Sequence, residues 1–269
     1  MNEPSIPGCQ RVAHRGGAAL APENSLAAFR HARTLPVDAI EIDVQMSRDG
    51  HVVVFHDETL ERLTNGQGNM LDLDLAYLRD LNVAAHFPGG WPEPQRMPLL
   101  AEVLEFARQA NLQVYIEIKH SKRAGVYGRY PGIAEAVTQD VLAAGMLEQV
   151  LLMSFDWALL PQIKTLAPGA VTGALVAEDV WKPTSTDALA GLVAQVKTLA
   201  CEWVNLDYAL FTPEMPAFLH AHGLRLGIWT VNERTALQHL QAAGVDSLTT
   251  DRPDLFTALV DTATLKTAQ

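Results

Sequence analysis

Cysteine and positive charge are scarce in this sequence, and each shortage excludes some classes of function. The 269 residues include two cysteines, Cys9 and Cys201, which lie too far apart to form a zinc knuckle or a dithiol redox motif. Lysine and arginine number 20 against 31 aspartates and glutamates, which gives a formal net charge of -11. This balance argues against a nucleic-acid partner, because nucleic-acid binders carry a basic face. It also argues against stable association with an anionic membrane surface.

Long apolar runs are absent as well. No run approaches the ~18 residues that would suggest a membrane span, and the first ten residues lack the basic and apolar stretches of a secretion signal. Together with the unpaired cysteines, these features predict a cytoplasmic protein. The length and the 48% hydrophobic content suit one α/β barrel domain over residues 1–269, since such barrels typically have about 250 residues.

Short apolar, β-branched runs alternate along the chain with segments whose apolar residues have helical spacing. The runs that predict strands are Arg11–His14, Ala39–Gln45, Val52–His56, Val114–Lys119, Val150–Phe155, Val171–Val176, Trp203–Asp207, Arg225–Val231 and Asp246–Thr250. The segments that predict helices are Ser25–Arg33, Leu100–Ala110, Ile133–Ala144, Trp157–Leu166, Asp187–Leu199, Pro213–His222 and Glu233–Ala243. This alternation predicts parallel strands joined by crossover helices.

Nine strands are one too many for a (β/α)8 barrel, and the second and third runs explain the excess. Too few residues separate Ile40–Gln45 from Val52–His56 for a helix, and Asp49-Gly50 is a strong hairpin signal. We therefore predict an eight-stranded TIM barrel with a β-hairpin after its second strand. Folding the hairpin about Asp49-Gly50 places His56 opposite Asp43, at the carboxyl end of that strand.

Residues 58–98 interrupt the alternation with two turn-rich stretches, 64–68 and 88–92, and one short helical segment, 75–81. Loops of this length are usually functional, so we predict a small insertion over the mouth of the barrel. Its apolar residues are too few for an independent core, which favours a single domain.

Three carboxylates fall on neighbouring predicted barrel strands. Glu41 and Asp43 are two residues apart and so face the same side, and Glu117 lies on the next barrel strand. Like charges inside a barrel need a counter-charge, and three oxygen donors favour a hard divalent cation, Mg²⁺ or Ca²⁺. The alternative is that basic side chains neutralise them, namely Arg15, Lys119 or Arg252.

Two histidines end strands beside this predicted metal site. His14 and His56 suit an acid–base pair, because imidazole can accept or give a proton near neutral pH. Arg15 and Lys119 suit a phosphate group. Gly16-Gly17 could let the backbone approach an anion, although two glycines alone are a weak signal.

These motifs together resemble the glycerophosphodiester phosphodiesterase family, in particular its bacterial cytosolic members. The matching segments are His14-Arg15-Gly16-Gly17, Pro22-Glu23-Asn24-Ser25, Glu41-Ile42-Asp43-Val44, Ser47-Arg48-Asp49-Gly50, Val53-Val54-Phe55-His56-Asp57, Pro98-Leu99-Leu100, Ile116-Glu117-Ile118-Lys119, Trp229-Thr230-Val231-Asn232 and Thr250-Asp251-Arg252-Pro253. They keep the family's order from about residue 11 to 256.

The resemblance implies metal-dependent hydrolysis of a glycerophosphodiester to an alcohol and sn-glycerol 3-phosphate, and it implies a role for each site residue. By resemblance the metal ligands are Glu41, Asp43 and Glu117, the acid–base pair is His14 and His56, the phosphate contacts are Arg15 and Lys119, and Trp229 lies near the glycerol. Glu23 is expected to orient Arg15 or a histidine. Asp251-Arg252 is expected to be a structural ion pair, and residues 123–130 and 180–187 to select the leaving group.

Three other functions are compatible with parts of the sequence. The nearest is a phospholipase C-like or lysophospholipase D-like enzyme that cleaves a lipid phosphodiester, although no basic cluster for a membrane is visible. A sugar-phosphate isomerase has the same barrel, but that function would leave the three acids and two histidines unexplained. A phosphodiester-binding module without catalytic activity is the third alternative, and the presence of all the predicted catalytic residues argues against it. The sequence leaves open the leaving alcohol, the physiological metal, which histidine acts first as base, and the oligomeric state.

Overall fold

The computed structural model describes residues 8–120, 130, 132–182 and 186–257. Within them the strands are β1 (Gln10–Ala13), β2 (Ala39–Met46), β3 (Val52–Val54), β4 (Gln113–Ile118), β5 (Val150–Ser154), β6 (Val171–Val176), β7 (Trp203–Asp207), β8 (Arg225–Trp229) and β9 (Ser247–Thr250). The helices are α1 (Leu26–Ala32), α2 (Leu75–Asp80), α3 (Leu100–Ala110), α4 (Ile133–Ala143), α5 (Leu160–Leu166), α6 (Thr186–Thr198), α7 (Met215–Ala221) and α8 (Arg234–Ala243).

Eight of the strands close into a parallel barrel. Their order around the ring is β1, β9, β8, β7, β6, β5, β4 and β2, and β2 pairs back onto β1. β3 lies outside the ring and pairs antiparallel with the last three residues of β2. The predicted (β/α)8 fold and the β-hairpin after the second strand are both confirmed.

Alternation along β2 separates the core from the site. Ile40, Ile42 and Val44 point outward and are fully buried in the main hydrophobic core beneath the helices. Glu41 and Asp43 point the other way, because successive strand residues face opposite sides, and they lie inside the barrel, 5% and 1% exposed. The packing of one face of β2 thus fixes the direction of its two carboxylates.

The barrel interior is filled by a second apolar cluster, and Asn205 enters it at mid-height. The cluster consists of Val12, Ala39, Tyr115, Leu151, Met153, Leu175 and Trp203. Gly173 and Gly227 flank Asn205 on the neighbouring strands, where an added Cβ would lie 2.5 Å and 2.4 Å from its amide atoms. Glycine is required at both positions because the Asn205 side chain occupies the space.

The substitution Gly227→Ala should therefore destabilise the barrel. Its Cβ would meet Asn205 Oδ1 at 2.4 Å and Ser247 Oγ at 2.6 Å, and overpacking of this kind costs about 1–3 kcal/mol. Urea denaturation measures the change. Gly191→Ala is the control, because this exposed position on α6 has no neighbour within 4 Å and alanine favours a helix by about 0.5–1 kcal/mol. A Gly227→Ala protein as stable as the unmodified chain would contradict the packing.

The hairpin register differs by one residue from the sequence prediction. Asp43 lies opposite Phe55, whose backbone N–H donates to the Asp43 carbonyl oxygen at 2.9 Å, and not opposite His56. The prediction assumed a two-residue turn, whereas the loop has three residues, Arg48–Gly50, with Gly50 in the left-handed region at φ 87°. Three-residue hairpin loops with a left-handed residue at the third position are a common type.

Residues 58–98 pack onto the hairpin. Six apolar side chains of this segment form a buried cluster with Val53 and Phe55: Leu60, Met70, Leu78, Leu81, Val83 and Met97. Because the cluster depends on the hairpin strand, the segment has no separate core of its own. This supports the proposal of one domain that carries 58–98 as an insertion.

Among the described residues, no helix combines the length and the apolar character needed to cross a bilayer.

Candidate active site

A cavity of about 710 Å³ opens inside the barrel and is lined by the predicted catalytic residues. Every barrel strand, or the residue directly after it, contributes to the lining: His14, Glu41, Glu117, Met153, Leu175, Asn205, Trp229 and Thr249. Catalytic groups of α/β barrels lie at the carboxyl ends of the strands, and this cavity occupies that position.

Three carboxylates converge on one side of the cavity. Glu41, Asp43 and Glu117 each offer an oxygen atom, and these atoms lie within 4.8 Å of one another. Asp43 and Glu117 are also direct neighbours across β2 and β4. Asp43 Oδ1 and Glu117 Oε1 are both buried. Lys119 forms ion pairs with both, at 3.5 Å and 2.8 Å.

The charges of this cluster oppose one another. Burial and the neighbouring charge of Asp43 raise the pKa of Glu41 well above that of an exposed glutamate. Burial acts in the same direction on Asp43, but the charges of Lys119 and Arg15 outweigh it and lower the pKa of Asp43. Two cations thus hold Asp43 ionised, while Glu41 lacks sufficient positive charge nearby.

This donor set fits a hard divalent cation. The ligating atoms are carboxylate oxygens, and Asp43 Oδ1 is buried without a hydrogen bond from the described residues. Mg²⁺ and Ca²⁺ prefer oxygen ligands. A cation would supply the positive charge that Glu41 needs to ionise. Asn24 fixes the geometry of the cluster, since its amide donates to Asp43 Oδ2 at 2.8 Å.

The turn after β1 is held in an unusual conformation. Arg15, Gly16 and Gly17 have φ values of 51°, 81° and 96°, a region that arginine rarely adopts. The turn brings the Arg15 backbone N–H to 2.9 Å from Glu41. Strained residues of this kind cluster at functional sites.

The two glycines make room for other parts of the chain. A Cβ at Gly16 would lie 2.8 Å from Ala28 and Phe29 of α1, and one at Gly17 would lie 2.9 Å from Pro253. Both glycines therefore have a packing role.

The Arg15 side chain joins the carboxylate cluster to Glu23. Its guanidinium donates to Glu23 Oε1 at 2.8 Å, and its Nε lies 3.3 Å from Asp43 Oδ2. Although burial opposes ionisation, Arg62 and Arg15 lower the pKa of Glu23. Glu23 thus contacts Arg15 directly and neither histidine, one of the two arrangements predicted for it.

His14 lies between two carboxylates. Its Nδ1 is 2.6 Å from Asp251 Oδ1, and its Nε2 is 3.9 Å from Glu41. An ionised carboxylate can only accept, so Nδ1 carries the hydrogen and donates it. Burial by itself would lower the pKa of His14, but the Asp251 hydrogen bond and the Glu41 charge raise it.

His56 has a similar partner on its own segment. Its Nδ1 lies 2.6 Å from Asp57 Oδ1, and Arg62 donates to both oxygens of Asp57. Burial opposes the charge of Asp57, but the bonds from His56 and Arg62 outweigh it and lower the pKa. Arg62 also donates to Glu23 at 2.8 Å, which ties the insertion to the Arg15 side of the site.

Apolar side chains form the wall of the cavity away from the carboxylates. Trp229 donates its indole N–H to the Asn205 carbonyl at 3.0 Å, and its ring meets Phe155 edge-on at 5.7 Å. His120 also lines the cavity beside Phe155. The carboxylate wall of the cavity therefore suits charged groups of a ligand, and the opposite wall suits apolar groups.

The structure brings all nine predicted site residues to this cavity or directly behind it: His14, Arg15, Glu23, Glu41, Asp43, His56, Glu117, Lys119 and Trp229. The expected Asp251–Arg252 ion pair is wrong, because Asp251 binds His14 and Arg252 pairs with Asp254. The position of Asp251 after the last barrel strand was the signal for a site residue.

Arg62 and Asn232, which hold the two aspartates, were assigned no role from the sequence, although both lie in segments that resemble the family. Arg62 comes from a segment without periodicity, and Asn232 reaches Asp251 from the loop after β8. Most of the two loops predicted to select the leaving group, 123–130 and 180–187, lies outside the described residues.

Comparison with known proteins gives one consistent result. The model of the glycerophosphoryl diester phosphodiesterase family matches residues 14–255. A glycerophosphodiester phosphodiesterase of Caldanaerobacter subterraneus subsp. tengcongensis is 34% identical, over 93% of this chain and 96% of that protein. A glycerophosphodiester phosphodiesterase of Bacillus subtilis is 33% identical, over 91% and 84%.

Solved structures give the same result. An Oleispira antarctica phosphodiesterase in complex with the product sn-glycerol-3-phosphate superposes with a TM-score of 0.78 at 25% identity, over 94% of this chain and 96% of that one. A glycerophosphodiester phosphodiesterase of Agrobacterium tumefaciens gives 0.76 at 26% identity, over 93% and 99%. With its barrel, its carboxylate cluster and these similarities, the chain belongs to the glycerophosphoryl diester phosphodiesterase family.

Proposed function

We propose that this protein hydrolyses glycerophosphodiesters to an alcohol and sn-glycerol 3-phosphate, with Glu41, Asp43 and Glu117 holding Mg²⁺ or Ca²⁺. The observation that carries the proposal is the arrangement of the cavity. Three carboxylates with donor atoms within 4.8 Å of one another share it with two histidines, each bonded at Nδ1 to an aspartate. Phosphodiester cleavage uses both features, since it needs charge stabilisation and two proton transfers.

The two histidines would move the protons. One takes the proton of the glycerol 2-hydroxyl, whose oxygen attacks phosphorus, and the other gives a proton to the departing alcohol. Water then opens the cyclic phosphate with the two roles exchanged, which restores both histidines. A cation held by Glu41, Asp43 and Glu117 would supply Lewis-acid chemistry, which polarises a phosphate oxygen and lowers the pKa of the hydroxyl. Arg15 and Lys119 face the same space and would hold the remaining phosphate charge.

A substrate panel tests this function. Glycerophosphocholine, glycerophosphoethanolamine and glycerophosphoglycerol are incubated with Mg²⁺, Ca²⁺, Mn²⁺ or chelator, and sn-glycerol 3-phosphate is quantified. We expect its release with a divalent cation and its loss with chelator. No release from any substrate with any metal would overturn the proposal, whereas release unaffected by chelator would overturn only its metal requirement.

A lipid phosphodiester is the second candidate substrate. The apolar wall favours it, because Phe155, Leu175 and the 38% exposed Val180 line the cavity away from the acids and could contact an acyl chain. Comparing a lysophospholipid in vesicles with soluble glycerophosphocholine separates the two. Faster cleavage of the lipid would favour a lysophospholipase D-like activity.

A small-molecule substrate and a cytoplasmic location complete the proposal. The cavity volume of about 710 Å³ accommodates a molecule of glycerophosphodiester size. Both cysteines are free thiols, which suits a reducing compartment. Cell fractionation with an antibody tests the location.

A further inference from the structure

Each histidine of the proposed acid–base pair is held by its own aspartate. Asp251 follows β9 directly and lies 2.6 Å from Nδ1 of His14, and Asp57 lies 2.6 Å from Nδ1 of His56. Both histidines line the cavity, and because each aspartate contacts Nδ1, Nε2 is the ring nitrogen available for the proposed reacting proton. The proposed function uses the two imidazoles but assigns no role to Asp251 or Asp57.

Asp251 is itself held in place. The Asn232 amide N–H donates to its second oxygen at 2.7 Å, while the Asn232 carbonyl oxygen accepts from the Asp251 backbone N–H at 2.9 Å and from the Thr250 hydroxyl at 3.0 Å. These bonds leave the Asp251 side chain little rotational freedom. Through its contact with Nδ1, Asp251 in turn restricts the rotation of the His14 ring.

Asp57 is held differently. Arg62 donates to both of its oxygens, at 2.5 Å and 2.8 Å, and the same guanidinium donates to Glu23 at 2.8 Å and 3.0 Å. Glu23 in turn accepts from Arg15. A chain of ionic contacts thus runs from the insertion to the turn after β1, with His56 at one end.

We infer that Asp251 and Asp57 are positioning residues that fix the Nδ1–H tautomer and the ring orientation of His14 and His56, so that Nε2 of each ring exchanges the reacting proton. The inference rests on the proposed function, because it assigns the reacting nitrogen of its acid–base pair. A carboxylate can only accept at Nδ1, so that hydrogen stays in place and Nε2 is the nitrogen that gains or loses a proton. For His14 this nitrogen is the one that faces Glu41.

Asparagine in place of either aspartate reverses the tautomer preference of the histidine that it contacts. Its amide N–H can donate to Nδ1, which moves the imidazole hydrogen to Nε2. We expect Asp251→Asn and Asp57→Asn each to lower kcat for glycerophosphocholine by about 10²–10⁴-fold, as loss of the correct tautomer does in other enzymes. KM should change little, because neither aspartate is one of the proposed phosphate contacts, Arg15 and Lys119.

A matched control lies at the other end of the same strand. Asp246, directly before β9, contacts His220 at 2.7 Å, and its side chain is 26% exposed compared with 25% for Asp251. This pair lies outside the cavity lining. Asp246→Asn therefore alters a carboxylate–imidazole contact of similar length, made here at Nε2, and should leave kcat within about twofold, as distant surface changes do.

Double variants separate positioning from a general structural effect. If Asp251 acts through His14, Asp251→Asn lowers kcat no further when His14 is already alanine, and Asp57→Asn lowers it no further in a His56→Ala background. Full additivity in these double variants would overturn the inference, as would a single Asp251→Asn variant with unchanged kcat. Melting temperatures of all variants are measured in parallel.

Histidine tautomers give a readout that needs no substrate. ¹⁵N NMR of histidine-labelled protein should show Nδ1–H for His14, assigned by its loss in His14→Ala, and Nε2–H in Asp251→Asn. If the unmodified enzyme cleaves no glycerophosphodiester, the proposed function fails, while this spectrum still decides whether Asp251 sets the tautomer. An Nδ1 without hydrogen at His14 in the unmodified chain would overturn the inference even in an active enzyme.

Discussion

Replacing His14 or His56 with alanine should lower the kcat for glycerophosphocholine hydrolysis by about 10²–10⁴-fold, the usual contribution of a general acid or base. Both rings line the cavity that contains the carboxylate cluster, and no other described histidine lies beside that cluster with an aspartate at its Nδ1. A second ring cannot take over, because each proton transfer needs its own group on its own side of the phosphorus. The measurement is steady-state release of sn-glycerol 3-phosphate at saturating Mg²⁺.

His220→Ala is the control for this prediction. His220 contacts Asp246 at 2.7 Å, as His14 contacts Asp251, but it lies on α7 outside the cavity. We expect its kcat to match the unmodified enzyme. If a folded His14→Ala or His56→Ala protein retained near-normal turnover, the acid–base assignment would be wrong for that residue.

The second large effect concerns Glu41→Gln, which should act in opposite directions on stability and on activity. The folded-state pKa of Glu41 is raised, mainly by burial, so its ionised form opposes folding at pH values above the ordinary glutamate pKa. Glutamine is neutral and can still accept the Arg15 backbone N–H. The metal-free variant should therefore melt at the same temperature as the unmodified protein or at a higher one.

Activity and metal response should fall in the same variant. A ligand oxygen with negative charge is lost, and metal ions contribute several kcal/mol to transition-state stabilisation, so turnover should drop about 10³-fold, since about 1.4 kcal/mol corresponds to a factor of ten. Adding Mg²⁺ or Ca²⁺ should raise the melting temperature of the unmodified protein in a concentration-dependent way and have little effect on Glu41→Gln.

Glu105→Gln serves as the charge control. Glu105 is half-exposed on α3 and pairs with Arg108 of the same helix, so its loss should change neither the metal response nor turnover. A Glu41→Gln protein that kept the full metal-dependent rise in melting temperature would argue against Glu41 as a ligand. Absence of any rise in the unmodified chain would argue against the whole site.

The sequence predicted the barrel well because its signals are local. Strands buried on both faces read as continuous apolar runs, and all nine predicted strands are present at nearly the predicted bounds. Glu41 and Asp43 could be placed together on the inner face for the same reason, since their outward neighbours Ile40 and Ile42 are apolar. The alternation of apolar and acidic residues along β2 is enough to place the two carboxylates on one face, whichever strands pair with β2.

The hairpin shows where local signals end. Asp49-Gly50 predicted the turn, but the sequence did not distinguish a two-residue loop from a three-residue loop. The difference moved the residue opposite Asp43 from His56 to Phe55. Because side chains alternate along a strand, a one-residue change in register alters which of them face the same side.

What the sequence by itself determined about this protein is the order and type of its elements and the identity of the residues at the strand ends. The tertiary structure alone decided their pairing. Asp251 lies 237 positions after His14, and the two meet because β9 pairs with β1 as the barrel closes. The sequence predicted that His14 and His56 share a cavity, and the structure has them there. The sequence did not predict which carboxylate contacts each imidazole. His14 and Asp251 come together only because the barrel closes between β1 and β9.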